Sequence, residues 1–152
     1  MTNKLLILIA ATFTFVIGPA YAQTDNITIS SQWARASIGT IRPTAAYLTI
    51  TNTGKDAVIL DSIETKIAEM AHIHNSITNA KGISSMAPAG EIRIEPNQSV
   101  TLQPSGLHIM LMDLQRPLIK GDSFELTLIF ENGQQITTDV PVLAISARGP
   151  RE

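Results

Sequence analysis

Short runs of alternating apolar and polar residues, separated by turn signals, constrain the fold of this chain more than any other feature. Clear examples are 44–52 (TAAYLTITN), 123–130 (SFELTLIF) and 134–142 (QQITTDVPV). The last two runs flank an Asn132-Gly133 turn, which is a strong hairpin signal. Such runs at regular spacing predict an all-β fold of the sandwich or barrel type.

The other predicted strands have less regular sequences. The segment ETKIAEMA could form a short helix, although a strand competes with it, and 77–91 is predicted to be a loop that holds a short strand near Ile83. We expect the remaining strands at 26–37, 57–64, 70–76, 91–95, 98–104 and 106–112.

The first 22 residues have the pattern of a cleavable export signal. A basic start is followed by a largely apolar region of 14 residues, too short to span a bilayer comfortably, and then by the small-x-small sequence Ala20-Tyr21-Ala22. We therefore predict cleavage after Ala22, a periplasmic location, and one mature domain over 23–152 without stable membrane insertion. The last few residues are expected to be disordered.

Charge and cysteine content exclude several classes of function. The 152 residues carry a formal net charge of −2 and no basic cluster, which argues against binding to nucleic acid or to anionic membranes. The sequence contains no cysteine. Thiol chemistry, cysteine-ligated zinc and blue-copper centres are therefore excluded.

The stretch GLHIMLMDL, residues 106–114, carries unusual side chains for a strand. Side chains alternate between the two faces of a strand, so the odd-numbered residues from 107 to 111 form an ordinary apolar core face. His108, Met110 and Met112 then share the other face. A half-buried strand normally places polar residues there, so this face is a candidate site.

Four further residues extend the candidate set: Met70, His72 and His74 on another predicted strand, with the two histidines two residues apart, and Met86 in the polar segment that follows. Imidazole and thioether are soft, neutral ligands that suit Cu(I) and suit Mg²⁺, Ca²⁺ or Mn²⁺ poorly. Methionine also avoids the oxidation that free thiols undergo outside the cytoplasm. Composition and compartment together permit a Cu(I) site.

Structural roles for the same residues remain open at this point. Methionine fills irregular gaps in cores, which is the favoured role for Met112 and an even alternative for Met110. His72 and His74 could be an exposed pair beside a strand edge, and Met86 could be an apolar lid.

The spacing of these residues resembles that of the periplasmic copper chaperones of the PCu(A)C type. Their pattern is a histidine, about ten residues, a methionine, twenty-one residues, and then His-x-Met. Here eleven residues separate His74 from Met86, and twenty-one separate Met86 from His108-Ile109-Met110. The segments WARAS, AAYLTITNTG and GLHIMLMDL also resemble this family, and the resemblance covers nearly all of 23–152. The extra residue in the first spacing leaves the choice between His72 and His74 slightly open.

The resemblance implies a cupredoxin-like Greek-key β-sandwich or barrel and a function as a carrier, not an enzyme. It implies one Cu(I) per chain, bound by His74, Met86, His108 and Met110, with His72 or Met112 as auxiliary residues. Copper would be delivered by ligand exchange to the dinuclear copper site during cytochrome c oxidase assembly. The expected partners are an oxidase subunit or another copper chaperone. The alternative is a metal-free secreted β-sandwich that acts in adhesion or assembly.

Overall fold

Ten β-strands form the protein in the computed structural model, which describes residues 26–78 and 80–150. The predicted export signal at 1–22 and the end of the predicted disordered tail at 151–152 lie outside the described residues. Within the described ranges, no helix is long and apolar enough to cross a membrane. The strands are β1 (Ile27–Arg35), β2 (Thr44–Asn52), β3 (Val58–Glu64), β4 (Ala68–Thr78), β5 (Ser84–Pro88), β6 (Ile92–Ile94), β7 (Ser99–Leu102), β8 (Leu107–Leu114), β9 (Ser123–Phe130) and β10 (Gln135–Leu143).

The strands form two layers that are joined along one edge. Hydrogen bonding follows the order β5-β4-β8-β2-β1-β10-β9-β3-β6, and β7 also pairs with β2. All of these pairs are antiparallel except β1 with β10, which run parallel and connect the layers. The all-β, cupredoxin-like prediction is confirmed.

The core lies between the two layers and is almost entirely aliphatic. Ile50, Ile109, Leu111 and Leu126 have no exposed surface, and Phe130 is only 1% exposed. Full burial of one such side chain contributes about 1.5–3 kcal/mol relative to exposure. Because inward-facing side chains alternate with outward-facing ones, this core fixes which residues of each strand face away from it.

Two details differ from the sequence predictions. The segment ETKIAEMA forms no helix: β3 ends at Glu64 and β4 begins at Ala68. In the segment 77–91, the short strand expected near Ile83 is present but longer than expected: Ser84–Pro88 pairs with the second half of β4 as a hairpin. The sequence of this segment shows no alternation of apolar and polar residues, because all five β5 residues are exposed and none belongs to the core. The extent of the strand could therefore not be predicted from the sequence.

An outward excursion separates β7 from β8, which lie one after the other along the same edge of β2. Leu102 pairs with Leu48 and Ile109 pairs with Ala46, so six residues on this edge, 103–108, lie between pairs that only one residue separates on β2. The extra residues form a turn in which the Gly106 amide donates to the Gln103 carbonyl at 3.1 Å. This turn brings the chain to the start of β8, where His108 lies.

Candidate metal centre

One face of β4, β5 and β8 carries every histidine and methionine within residues 26–78 and 80–150. Cross-strand pairing aligns His74 with His108, His72 with Met110, and Met70 with Met112. Paired residues point to the same face of a sheet. Their neighbours Ala71, Ile73, Ile109 and Leu111 face the core. We call the outward side the ligand face: Met70, His72, His74, Met86, His108, Met110 and Met112.

His74 and His108 are directly opposite each other on the ligand face. Their ring centroids are 6.2 Å apart and the ring planes are tilted by 51°. Metal–imidazole bonds in proteins are about 2.0–2.1 Å for zinc, a comparable first-row ion. One ion between the rings can therefore bind a nitrogen of each with a small side-chain adjustment.

His108 is held in a defined orientation by the excursion before β8. Its Nδ1 lies 3.0 Å from the Gly106 carbonyl oxygen, and its side chain is buried although it faces away from the core. A carbonyl can only accept, so Nδ1 carries the proton and Nε2 of the neutral ring has a free lone pair. The Gly106 carbonyl also accepts from the Ser76 amide at 3.1 Å, which ties the turn to β4. This is the usual way in which a ligating histidine is oriented.

One ring nitrogen of His74 lacks a hydrogen bond. Its Nδ1 is buried and has no hydrogen-bond partner among residues 26–78 and 80–150. Burial, and then the nearby charges of His108 and His72, lower the pKa of His74 below its ordinary value, so the neutral form persists to lower pH. A buried polar atom without a partner is costly in a protein with only structural roles to fulfil. A bound cation would satisfy it.

Met110 and Met86 supply thioethers on either side of the histidine pair. Met110 is half-buried and lies two residues beyond His108. Met86 is 61% exposed and is placed by the β4–β5 hairpin, in which it pairs with Ser76 while Pro88 pairs with His74. Since Ser76 and His74 share a face, Met86 faces the same side as the histidines.

The four predicted ligands line two neighbouring cavities of about 490 Å³ each. Met86, His108 and Met110 line the first, as do Arg35 and Arg42. His74 lines the second with His72. The structure therefore brings the four residues to one face, where His74 and His108 pair directly although they line different cavities.

Two residue-level expectations need correction. Met112 does not fill the core as favoured: it is half-buried and faces outward opposite Met70, which is 40% exposed. The eleven residues between His74 and Met86 are not a free loop. Most of them belong to paired strands, with 74–78 aligned to 84–88, so an extra residue relative to the family pattern leaves this register unchanged only if it falls between these two paired segments.

The sequence makes Met70 a candidate ligand but does not place it. Its pairing with Met112 depends on the β4–β8 register. Within the described residues, no group of three or more His, Asp or Glu side chains is placed to hold a metal. The donors beside the histidines on this face are methionine sulphurs, which favour soft ions such as Cu(I).

Comparison with known proteins supports this assignment. Residues 27–142 match the family described as "Putative lipoprotein LpqE-like". The "Putative lipoprotein Lxx21020" of Leifsonia xyli subsp. xyli is 31% identical over 146 residues, covering 93% of this chain and 87% of that protein. The chain belongs to the PCu(A)C family of copper chaperones.

Solved PCu(A)C structures share this fold. The copper-bound PCuAC domain from PmoF2 is 25% identical with a TM-score of 0.65, covering 78% of this chain and 93% of that one. The solution structure of CuI-DR1885 from Deinococcus radiodurans is 29% identical with a TM-score of 0.60, covering 80% and 83% of the two chains. Both structures are of copper-loaded proteins, so this PCu(A)C chain shares its architecture with copper-binding domains.

Proposed function

We propose that this PCu(A)C protein is a periplasmic Cu(I) carrier that binds one principal ion through His74, Met86, His108 and Met110. The observation that carries the proposal is the shared face: all histidines and methionines of the described residues lie on it, although alternation would distribute unrelated residues over both faces. The copper-bound relatives and the unsatisfied Nδ1 of His74 support the same assignment.

The ligand set suits a carrier that must release its cargo. Two imidazoles and two thioethers are neutral, so they bind Cu(I) without the negative charge that thiolates would add. Met86 is 61% exposed on a two-stranded hairpin, whereas His108 is buried and hydrogen-bonded. Met86 is therefore the ligand that an acceptor can replace first, while His108 remains fixed.

The proposed route is ligand exchange with the dinuclear copper site of a cytochrome c oxidase subunit, or with another copper chaperone. The predicted export signal and the lipoprotein names of the relatives support a location outside the cytoplasm. Exchange at an exposed face lets an acceptor ligand bind before a donor ligand leaves, so free Cu(I) is never released.

An anaerobic competition titration of Cu(I) against a chromogenic chelator tests binding, with Met110→Leu beside the parent. We expect one tight equivalent, and a weakening of at least about tenfold in the variant. No competition by the parent would leave a metal-free β-sandwich as the function. Mixing the loaded protein with the apo soluble domain of the oxidase subunit then tests delivery, because transfer should give the spectrum of the dinuclear site.

A further inference from the structure

Beyond the four proposed ligands, the ligand face continues to a second cluster of soft side chains. Met70 and Met112 pair directly across β4 and β8, and His72 is the next outward residue along β4. Met70 is 40% exposed, His72 is exposed, and Met112 is half-buried. Two facing methionines at the surface fill no core gap, and polar residues are the usual occupants of such positions. We propose that Met70, His72 and Met112 form a second, weaker Cu(I) site.

The backbone places these three side chains within reach of one ion. Directly paired residues on one face have Cβ atoms about 4.5–5.5 Å apart, and consecutive residues on that face are about 7 Å apart along the strand. Methionine has three rotatable side-chain bonds, so both sulphurs can turn toward the imidazole of His72. Two thioethers and one imidazole make a neutral, soft, three-coordinate set.

The second site is separate from the first. The Met70–Met112 pair lies four residues along β4 from the His74–His108 pair, which corresponds to about 13 Å. The face also ends at this point. Asp113 has a positive φ of 52°, which breaks the alternation, so Leu114 turns into the core at 5% exposure.

Charge distinguishes the two ends of the face. Exposed carboxylates of Glu69 and Asp113 adjoin the second site in sequence, whereas Arg35 and Arg42 line the cavity beside Met86. A cation approaching from solvent is therefore attracted to the Met70–Met112 end. The cross-strand pair His72–Met110 joins the two sites, because His72 belongs to the second and Met110 to the first. We place the second site as the loading position from which Cu(I) moves to His74 and His108; this role rests on the proposed carrier function.

The test uses the protein exported and processed by its host, titrated anaerobically with Cu(I) to three equivalents against chelators of graded affinity. Selective ¹³C labelling of the methionine methyl groups reports which sulphurs bind. We expect two equivalents, with the Met86 and Met110 methyl signals moving during the first and the Met70 and Met112 signals during the second. The double variant Met70→Leu/Met112→Leu should retain the first equivalent and weaken the second at least about tenfold.

Met86→Leu is the matched control, because it removes one thioether from the first site only. It should weaken the first equivalent and preserve the response of the Met70 and Met112 signals. A parent that binds a single equivalent, or a double variant that keeps the second equivalent at full affinity, would overturn the second site while leaving the carrier function intact. A parent that binds no Cu(I) would overturn both.

Discussion

His74 and His108 face each other across β4 and β8 with ring centroids 6.2 Å apart, and their Nδ1 atoms differ in hydrogen bonding. The Gly106 carbonyl accepts from Nδ1 of His108 and fixes its ring. The buried Nδ1 of His74 has no partner within the part of the chain that the structure describes. The pair therefore combines an oriented ligand with one that lacks a hydrogen bond until an ion binds.

Replacing His74 by leucine separates a metal-binding role from a structural one. His74→Leu should abolish tight Cu(I) binding, yet leave the free energy of unfolding of the apo protein within about 1 kcal/mol of the parent, because no hydrogen bond of Nδ1 is lost. Chelator competition and urea unfolding measure the two effects. A loss of several kcal/mol of stability with copper binding unchanged would identify His74 as a structural histidine.

Met86 should matter for copper and not for folding. It is 61% exposed and lies on a strand whose residues are all exposed, so Met86→Leu should change stability by less than about 0.5 kcal/mol. Cu(I) affinity should fall at least about tenfold. Ile77→Leu is the control, because Ile77 is equally exposed on the same hairpin and faces the other side. Equal affinities for the two variants would remove Met86 from the site.

The pH dependence of the apo protein's stability in mild acid should reflect the protonation of His74. Burial lowers its pKa, so His74 should titrate below the ordinary value of about 6.5. Because the pKa of His74 is lower in the folded protein than in the unfolded one, the unfolded state binds more protons as pH falls below about 6.5. The contribution of His74 to the free energy of unfolding is therefore fully present above about pH 6.5 and is lost as pH falls through the folded pKa. NMR titration of the ring protons measures this midpoint. A midpoint at or above 6.5 would contradict the burial of the ring.

Substitutions on the two faces of β8 should reduce the free energy of unfolding by different amounts. Ile109→Ala should cost about 2–5 kcal/mol of unfolding free energy because Ile109 is completely buried in the core. Met110→Leu conserves volume and should cost less than about 1.5 kcal/mol. Thermal and urea unfolding of both variants provide the comparison. A larger loss for Met110→Leu would mean that the outward face is the core.

The sequence predicted the strands that alternate well and the ligand face of β8. The run TAAYLTITN predicts the observed bounds of β2, and the Asn132-Gly133 turn predicts the final hairpin. Alternation likewise separated His108 from the core residue Ile109. These features depend only on local period and turn chemistry.

Other features depend on long-range pairing that local patterns do not encode. β5 has no buried residue, so only its pairing with β4 makes it a strand. The partnership of Met70 with Met112 requires the β4–β8 register. The orientation of His108 depends on the Gly106 carbonyl, which the excursion from β2 positions. Family spacing pointed to His74, and the structure adds its unsatisfied Nδ1.

X-ray absorption at the copper K-edge of the anaerobic one-to-one Cu(I) complex tests the central claim most directly, because it identifies the atoms bound to the metal. Ligation by His74, His108, Met86 and Met110 predicts two imidazole nitrogens and two sulphurs, with one sulphur lost in Met86→Leu. A first shell of nitrogen and oxygen alone, unchanged in that variant, would contradict the proposed site.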